Sequence, residues 1–435
     1  MKTIKIKKGH NLKISGIPKN EISNASESNY VIFHPARFKS FKTKLLVKES
    51  EYVKVGTPIF FDKNNSEVMF VSTVSGNVKE IIYGDRRSVV SIIIENDKKY
   101  ESFPLKINKS KETLLNSGLW SLIRQKPFSK IPDSKSLPKS FFISSVPTEP
   151  FAVDNNFLFK NIDNHLQKGV DILKEIFNCD INMGVSDKSE FLKLKNINFY
   201  KINSLHPAGN VGVQIHHIDP IKNSDDTRWY LSMQDLNRIG YYFEKNKHFN
   251  YKYYSLGGNG VLNASYYKTL IGTPIKEIAD FSNKDIRFIS GDVLSGCEVL
   301  QENSIDYFDE VLSVIEFSKR REFLGWLKPG INKYSLTKTF LSKIISNNKS
   351  KLNTHLNGSI RTIIPMGNWE SVLPMNIYPE YLVKSILCKD IDMMEKLGIY
   401  ESSPEDFALC SFICQSKVEV SKIIQDGLDL VVKEI

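Results

Sequence analysis

Four side chains able to carry protons or bind a metal stand within fourteen residues: His206, His216, His217 and Asp219. Histidine titrates near neutral pH, so the group could relay protons to a redox substrate, and imidazoles with a carboxylate could hold a divalent ion. The spacing disfavours the metal. His216 and His217 are adjacent, so on a strand they point to opposite faces and do not readily chelate one ion. His206 precedes Pro207 and reads as a strand-to-loop exit, where an imidazole often caps backbone groups. Structural use is the leading expectation, proton relay the functional one, and no metal site is expected.

Five cysteines, Cys179, Cys297, Cys388, Cys410 and Cys414, are odd in number and mostly isolated. They form no disulfide framework and suit a reducing compartment. Cys410 and Cys414 are one helical turn apart and would share a face with Phe407, which reads as a buried apolar stripe. No C-x-x-C-x-x-C run offers the thiolates of a tetranuclear iron–sulfur cluster. Neither a G-x-G-x-x-G nor a G-x-x-x-x-G-K-[ST] stretch occurs, and Pro207-Ala-Gly-Asn-Val-Gly212 is a lone G-x-x-G that a tight turn explains. The aromatic groups Tyr241–Phe243, Tyr251–Tyr254 and Tyr266–Tyr267 read as core or interface.

These residues need a large frame. The chain has 435 residues, 25% charged and 41% hydrophobic, an ordinary globular composition for about three domains. No uncharged apolar run approaches the roughly 18–20 residues of a membrane span. Met1-Lys-Thr-Ile-Lys-Ile-Lys-Lys-Gly9 alternates as a first strand and is no export signal, so a soluble cytoplasmic chain is expected. Lysine and arginine number 59 against 49 acids, a net charge of +10. The lysines read as scattered and often paired with acids, as between Lys384 and Lys396, so no nucleic-acid partner is expected. A second reading places them near an anionic membrane leaflet.

Periodicity divides the chain. Residues 1–103 read as short strands: the turn Val53-Lys-Val-Gly-Thr-Pro58 before Ile59-Phe-Phe61, and Val74-Ser-Gly-Asn-Val-Lys-Glu-Ile81, resemble the barrel-sandwich shape of biotinyl and lipoyl carriers. Lys63 lies at a hairpin tip without the acidic flanks of a lipoylated lysine, and no modification is expected. Residues 104–250 alternate strand and helix, as in a Rossmann-like parallel sheet with crossovers. Helical faces are expected over 111–123, over 162–177 (Ile162, Leu166, Val170, Leu173, Phe177) and over 227–243, with strands at 141–146, 181–185 and 198–202. Residues 251–330 read as two hairpins with a short helix at Ile275–Ala279 capped by Thr273, a β-grasp (SLBB-like) insert. Residues 331–435 read as a mainly helical C-terminal region, with one run from Tyr378 to Lys396 and another opened by Ser403-Pro404. The fold class is therefore α/β and multidomain.

Several segments together resemble the A-subunit family of the sodium-translocating NADH:quinone oxidoreductase (Na+-NQR). They are Ile4–Gly9 with Leu12–Pro18, Ser117-Gly-Leu-Trp120 with Arg124-Gln-Lys-Pro-Phe128, His206–Pro220, Ser255–Gly258, Ile289–Gly296 and Leu409–Cys414, in family order across nearly the whole chain. The resemblance implies a peripheral subunit on the cytoplasmic face of the cell membrane, working with five other subunits. That complex uses NADH, FAD, FMN, riboflavin, iron–sulfur and ubiquinone, and exports Na+. No cofactor is expected in this chain, and on its own the chain is expected to be inactive. His206, His216, His217 and Asp219 become the candidates for quinone contact or proton relay. The family is distantly related to flavin-binding NADH dehydrogenase subunits, whose glycine-rich phosphate loop corresponds here to Ser117–Phe128. One glycine remains there, beside Leu119 and Trp120, so flavin binding is expected to be lost. The alternatives are a flavin and iron–sulfur NADH dehydrogenase subunit of an electron-bifurcating pump, a docking subunit without a ligand, and a β-grasp module of the polysaccharide-export kind.

Overall fold

The computed structural model describes residues 1–434 except positions 40, 106, 107, 109, 203, 204, 283, 284, 319–322, 326, 332, 335, 337–339 and 346–349. The first part is a barrel-sandwich hybrid of two antiparallel sheets. Strands Tyr30–Phe33, Val89–Asn96, Gly76–Tyr83 and Tyr52–Val53 form one, and Thr43–Leu45, Pro58–Asp62 and Asn65–Val71 the other. Their alternating Val31, Ile59, Val68, Phe70, Val78 and Ile92 are buried. The paired, stacked rings of Phe60 and Phe70, with centroids 4.6 Å apart, pack against Phe38 and Phe41 and, through Phe70, against Tyr307.

The second part is an α/β sheet in the order Lys2–Ile4, Asn198–Ile202, Asp180–Val185, Ser140–Ser144, Arg228–Ser232, Arg124–Lys126, parallel except for the last strand. Residues 228–232 are a central strand and not the start of a helix: Trp229, Tyr230 and Leu231 are buried where a parallel strand is covered on both faces. The helix begins at Met233, with the Ser232 hydroxyl accepting from the Asp235 amide, and runs Met233–Lys245. The expected 162–177 helix starts only at Leu166 (Leu166–Phe177), because Ile162 already ends the preceding helix Asn155–Asn161. Over 111–123 the helix stops at Asn116, Gly118 turns left-handed at φ 72°, and Leu119–Leu122 continues as a 3-10 turn.

A mixed sheet follows: Cys297–Val299, Ile286–Ser290, Val311–Glu316, Tyr251–Gly257, Ser265–Leu270 and Lys19–Asn24. Its two hairpins flank the parallel pair Tyr251–Gly257 and Val311–Glu316. The short helix is a 3-10 turn, Ile275–Glu277; Thr273 does not cap it but donates to the Leu270 carbonyl. Residues 1–24, grouped above with the barrel, pair elsewhere: Lys2–Ile4 joins the α/β sheet and Lys19–Asn24 this one.

Helices Pro379–Leu387, Ile391–Lys396, Ala408–Ile413 and Val420–Glu434 pack beyond the α/β sheet. The run 378–396 is two helices, broken at Lys389 (φ 57°) and restarted by the Asp390 side-chain cap. Ser403-Pro404 opens a turn, with the helix proper beginning at Ala408. Two apolar cores sandwich the α/β sheet. One joins it to the barrel through Trp120, Phe141 and Trp229, and the other joins it to the C-terminal helices through Phe142, Val213 and Leu382.

Candidate functional site

From the central strand Ser140–Ser144 the chain moves one way to Asp180–Val185 and Asn198–Ile202, then returns to the other side as Arg228–Ser232. Where strand order reverses, the carboxyl ends of the two flanking strands part and leave a crevice, the usual ligand position in open α/β sheets. A cavity of about 410 Å³ lies there, with Ser144 and Ser232 on its wall. The barrel contributes His34 and Arg37, the mixed sheet Asp309 and Glu310, and the C-terminal region Glu405.

Burial dominates its electrostatics. Glu149 is pushed up to about 8 by loss of solvent, with Asp292 adding to the effect. Asp309 rises to about 6 by burial and by the neighbouring Asp306. His206 falls to about 4 by burial, and His34 to about 3 by burial and Arg37. At neutral pH Glu149 therefore keeps its proton while both imidazoles are uncharged. Burial alone would raise the Glu405 carboxyl, but Lys126, whose Nζ donates at 3.0 Å, and Arg124 outweigh it and hold the value down.

Several lining atoms have no protein partner among the described residues: His206 Nε2, Tyr230 Oη, Arg124 Nε and Glu310 Oε1. The Arg124 guanidinium stacks between Tyr230 and Phe308, 4.6 Å from each ring centre. Thr148 Oγ1 accepts from the Gly209 amide at 2.9 Å and lies 3.3 Å from His206 Nδ1. In the tautomer whose Nδ1 accepts the Thr148 hydroxyl hydrogen, His206 carries its own hydrogen on Nε2, as a donor into the cavity. An unmet buried polar atom costs about 1–3 kcal/mol, so these groups favour a polar guest that can partner them.

The four residues singled out in the sequence do not converge. Only His206 reaches the cavity. His216 and His217 lie on a helix, Val211–Ile218, not on a strand, and their rings meet edge to face at 5.2 Å. His216 Nε2 accepts from the Asn376 amide at 2.9 Å, so its Nδ1 donates to Glu401, also at 2.9 Å. His217 Nε2 donates to the Pro374 carbonyl at 2.8 Å. Both histidines thus fasten this helix to the C-terminal region. Asp219 binds Arg228, which is fully buried, with its Oδ2 2.6 Å from Nε, and accepts from Ser140 Oγ at 2.8 Å.

Leu119 and Trp120 are core residues. Trp120 packs against Phe177 and Trp229 and donates from Nε1 to the Pro132 carbonyl at 2.9 Å. Cys410 and Cys414 are buried thiols in the C-terminal core, and burial pushes the Cys410 thiol well above its ordinary value. Among the described residues no three His, Cys, Asp or Glu side chains are grouped to hold a metal ion.

Residues 4–97 match the family described as the NqrA N-terminal barrel-sandwich hybrid domain, and residues 105–248 the NqrA second alpha/beta domain. The A subunit of the Na(+)-translocating NADH-quinone reductase of Haemophilus influenzae (strain PittEE) is 32% identical over 99% of this chain and 100% of its own length. The protein of the same name from Neisseria meningitidis serogroup B is 32% identical with the same coverage. The chain belongs to the NqrA family. A solved NAD+-reducing [NiFe]-hydrogenase aligns over 68% of this chain and 55% of its own at 10% identity, with a TM-score of 0.36, too low to carry an argument.

Three of the NqrA-like segments quoted from the sequence, far apart in the chain, meet at the cavity: Arg124, His206–Val211 and Ser290–Gly296 each supply lining residues. In the second of these segments, Gly212 gives room to the buried Asp406 carboxyl, since a Cβ there would lie 2.1 Å from its Oδ2 and would push it aside. Glu149, Tyr230, Asp309 and Glu310 escape a reading of the sequence alone. The available signal is Glu149 in Pro147-Thr-Glu-Pro150, an acid directly after a buried strand.

Proposed function

We propose that this chain is the peripheral, cytoplasmic-face NqrA component of a Na+-translocating NADH:quinone reductase. In this reading it takes part in reducing ubiquinone to ubiquinol, coupled to Na+ export. Five partner subunits carry the NADH site, FAD, FMN, riboflavin, iron–sulfur and the membrane spans, and this chain holds no resident cofactor. The observation that carries the reading is similarity over essentially the full length of both this chain and its relatives. A peripheral position agrees with the finding that no described helix is long and apolar enough to cross a membrane.

The cavity is the natural place for a quinone ring. Reduction adds two electrons, delivered from the partner subunits, and two protons to the carbonyl oxygens. His206 Nε2–H and Tyr230 O–H donate hydrogen bonds to those oxygens as negative charge develops. His206 is uncharged at neutral pH, so its role is donation and not release of a proton. Glu149, protonated up to about pH 8, gives one proton and, after taking another from the medium, gives the second. His216, His217 and Asp219 position the surrounding elements.

The test is reconstitution. Membranes holding the other five subunits but not this chain should lose NADH-driven ubiquinol formation and Na+ uptake into inverted vesicles, and regain both on its addition. Restored assembly without restored turnover would refute the reading. Unchanged turnover in an assembled Glu149→Gln, His206→Ala, Tyr230→Phe complex would move quinone elsewhere and leave this chain a docking component. Protease should cleave it in inverted vesicles and spare it in intact cells.

A further inference from the structure

The positive charge of the chain is not evenly spread. Residues 319–366 hold seven lysines and three arginines against one acid, Glu322, and so carry almost all of the +10 of the whole molecule. The same stretch exposes large apolar side chains that a water-facing surface does not need. Phe323 is 85% exposed, Ile360 76%, Ile344 69%, Ile364 63%, Leu327 61% and Ile331 56%. Among the described residues its only regular helix is Ser342–Ile345. The segment forms one wall of an open groove of about 1160 Å³, completed by Phe412 and Lys417 of the C-terminal region. Lys328, Lys333, Lys351, Arg361 and Lys417 line this groove together with Ile331 and Leu356, against a single acid, Glu419. Lys351, Arg361 and Lys417 form no ion pair with a carboxylate among the described residues.

Bases interleaved with exposed aliphatic and aromatic groups, almost free of acids, match a surface that is anionic outside and apolar just beneath. An acidic protein face would satisfy the lysines and arginines but would leave Phe323, Ile344 and Ile360 in water. A phospholipid leaflet satisfies both, with headgroup phosphates on the cations and the upper acyl region around the apolar side chains. We propose that the groove and the exposed apolar side chains of this segment are a docking surface for the anionic phospholipids of the membrane. The proposal goes beyond the functional reading above, because it concerns direct contact with lipid and needs neither partner subunits nor quinone.

The purified full chain is mixed with vesicles of phosphatidylglycerol and phosphatidylcholine, or of phosphatidylcholine alone, and floated on a density gradient. It should partition onto the phosphatidylglycerol vesicles, stay free of the neutral ones, and be released by about 0.5 M salt as charge is screened. Each basic residue near the surface is worth about fivefold in partition, so Lys351→Gln, Arg361→Gln, Lys417→Gln together should reduce it about a hundredfold. Lys48→Gln, Lys63→Gln, Lys98→Gln on the barrel should leave it unchanged, with circular dichroism confirming that both variants fold. Phe323→Ser, Ile344→Ser, Ile360→Ser should weaken binding and make what remains more sensitive to salt. No binding, equal binding to both vesicles, or equal loss from the barrel triple would overturn the proposal. So would binding only to membranes that retain the partner subunits, which would assign the surface to protein; failure of reconstitution, by contrast, would leave vesicle binding untouched.

Discussion

Glu149 and Asp219 show how one chemical group serves two ends. Asp219 sits against a buried guanidinium and is held below its ordinary value despite partial burial, through Arg228 and Ser140. Glu149 is dominated instead by burial and the neighbouring Asp292, and is pushed up to about 8. Between about pH 4.5 and 8 the folded chain retains a proton on Glu149 that the unfolded chain has released. Stability therefore falls as pH rises through that window and levels off above it. Glu149→Gln should flatten this fall, by on the order of 3 kcal/mol between pH 5 and 8, in urea unfolding of wild type and variant. Parallel pH profiles would contradict the assignment. Asp219→Ala should cost about 3 kcal/mol, since Asp226 alone then neutralises Arg228; Arg228→Met with Asp219→Ala and Asp226→Asn should recover most of that loss, because the buried charge and both its partners are gone. Neither environment is legible in the sequence. Burial at Glu149 arises from segments far apart in the chain, and Arg228 is linked to Asp219 only by the fold. His206 stands out because its neighbours are sequential, and for the same reason His216 and His217 are grouped with a site they do not enter.

At the scale of elements, helices Leu166–Phe177 and Met233–Lys245 cross where each has a glycine. A Cβ on Gly240 would lie 2.0 Å from the His165 carbonyl oxygen, and one on Gly169 would lie 2.5 Å from that of Leu236. Backbone meets backbone there, so no side-chain rotation relieves the clash. Gly240→Ala should cost about 3 kcal/mol or more despite the higher helix propensity of alanine, read as a lower midpoint in urea. A neutral or stabilising result would mean that the helices are further apart. The apolar stripe from Leu166 to Phe177 is readable because a helix with one buried face repeats every three to four residues. Strand Arg228–Ser232 is not, because a strand covered on both faces loses its alternation and looks like the first turn of the helix that follows. The cap at Ser232 is the one local mark of that boundary. The Val211–Ile218 helix escapes for a related reason: eight residues are too few to display a stripe, and its paired histidines suggest alternation. Its fastening is testable too. His216→Ala removes two hydrogen bonds and should raise amide exchange at Met375, Asn376 and Glu401 before any global unfolding.

On the scale of the whole molecule, the α/β sheet is the shared wall of two cores, so the parts recognised by periodicity are not energetically separate. Phe141 faces the core continuous with the barrel, whereas Phe142, one residue on, faces the C-terminal helices. Alternation along a single strand thus commits the sheet to partners on both sides. Composition foretells several parts, yet does not reveal that the first strand of the chain completes the second sheet, since a three-residue pairing across about 200 positions leaves no local trace. The consequence concerns truncation. A chain ending at residue 366 would bare Phe142, Val211, Val213 and Tyr230, which Leu373, Leu382, Leu409 and Leu428 now help to cover as members of one core. Each such side chain contributes about 1.5–3 kcal/mol when buried, and a domain holds only about 5–15 kcal/mol in total. The truncated chain should therefore fail to give a cooperative melt and should bind a hydrophobic dye, although every cavity-lining residue except Pro404 and Glu405 is still present. A soluble 1–366 fragment melting within a few degrees of the full chain would mean that the C-terminal helices are an appendage, and the two-sided sheet would no longer account for the architecture.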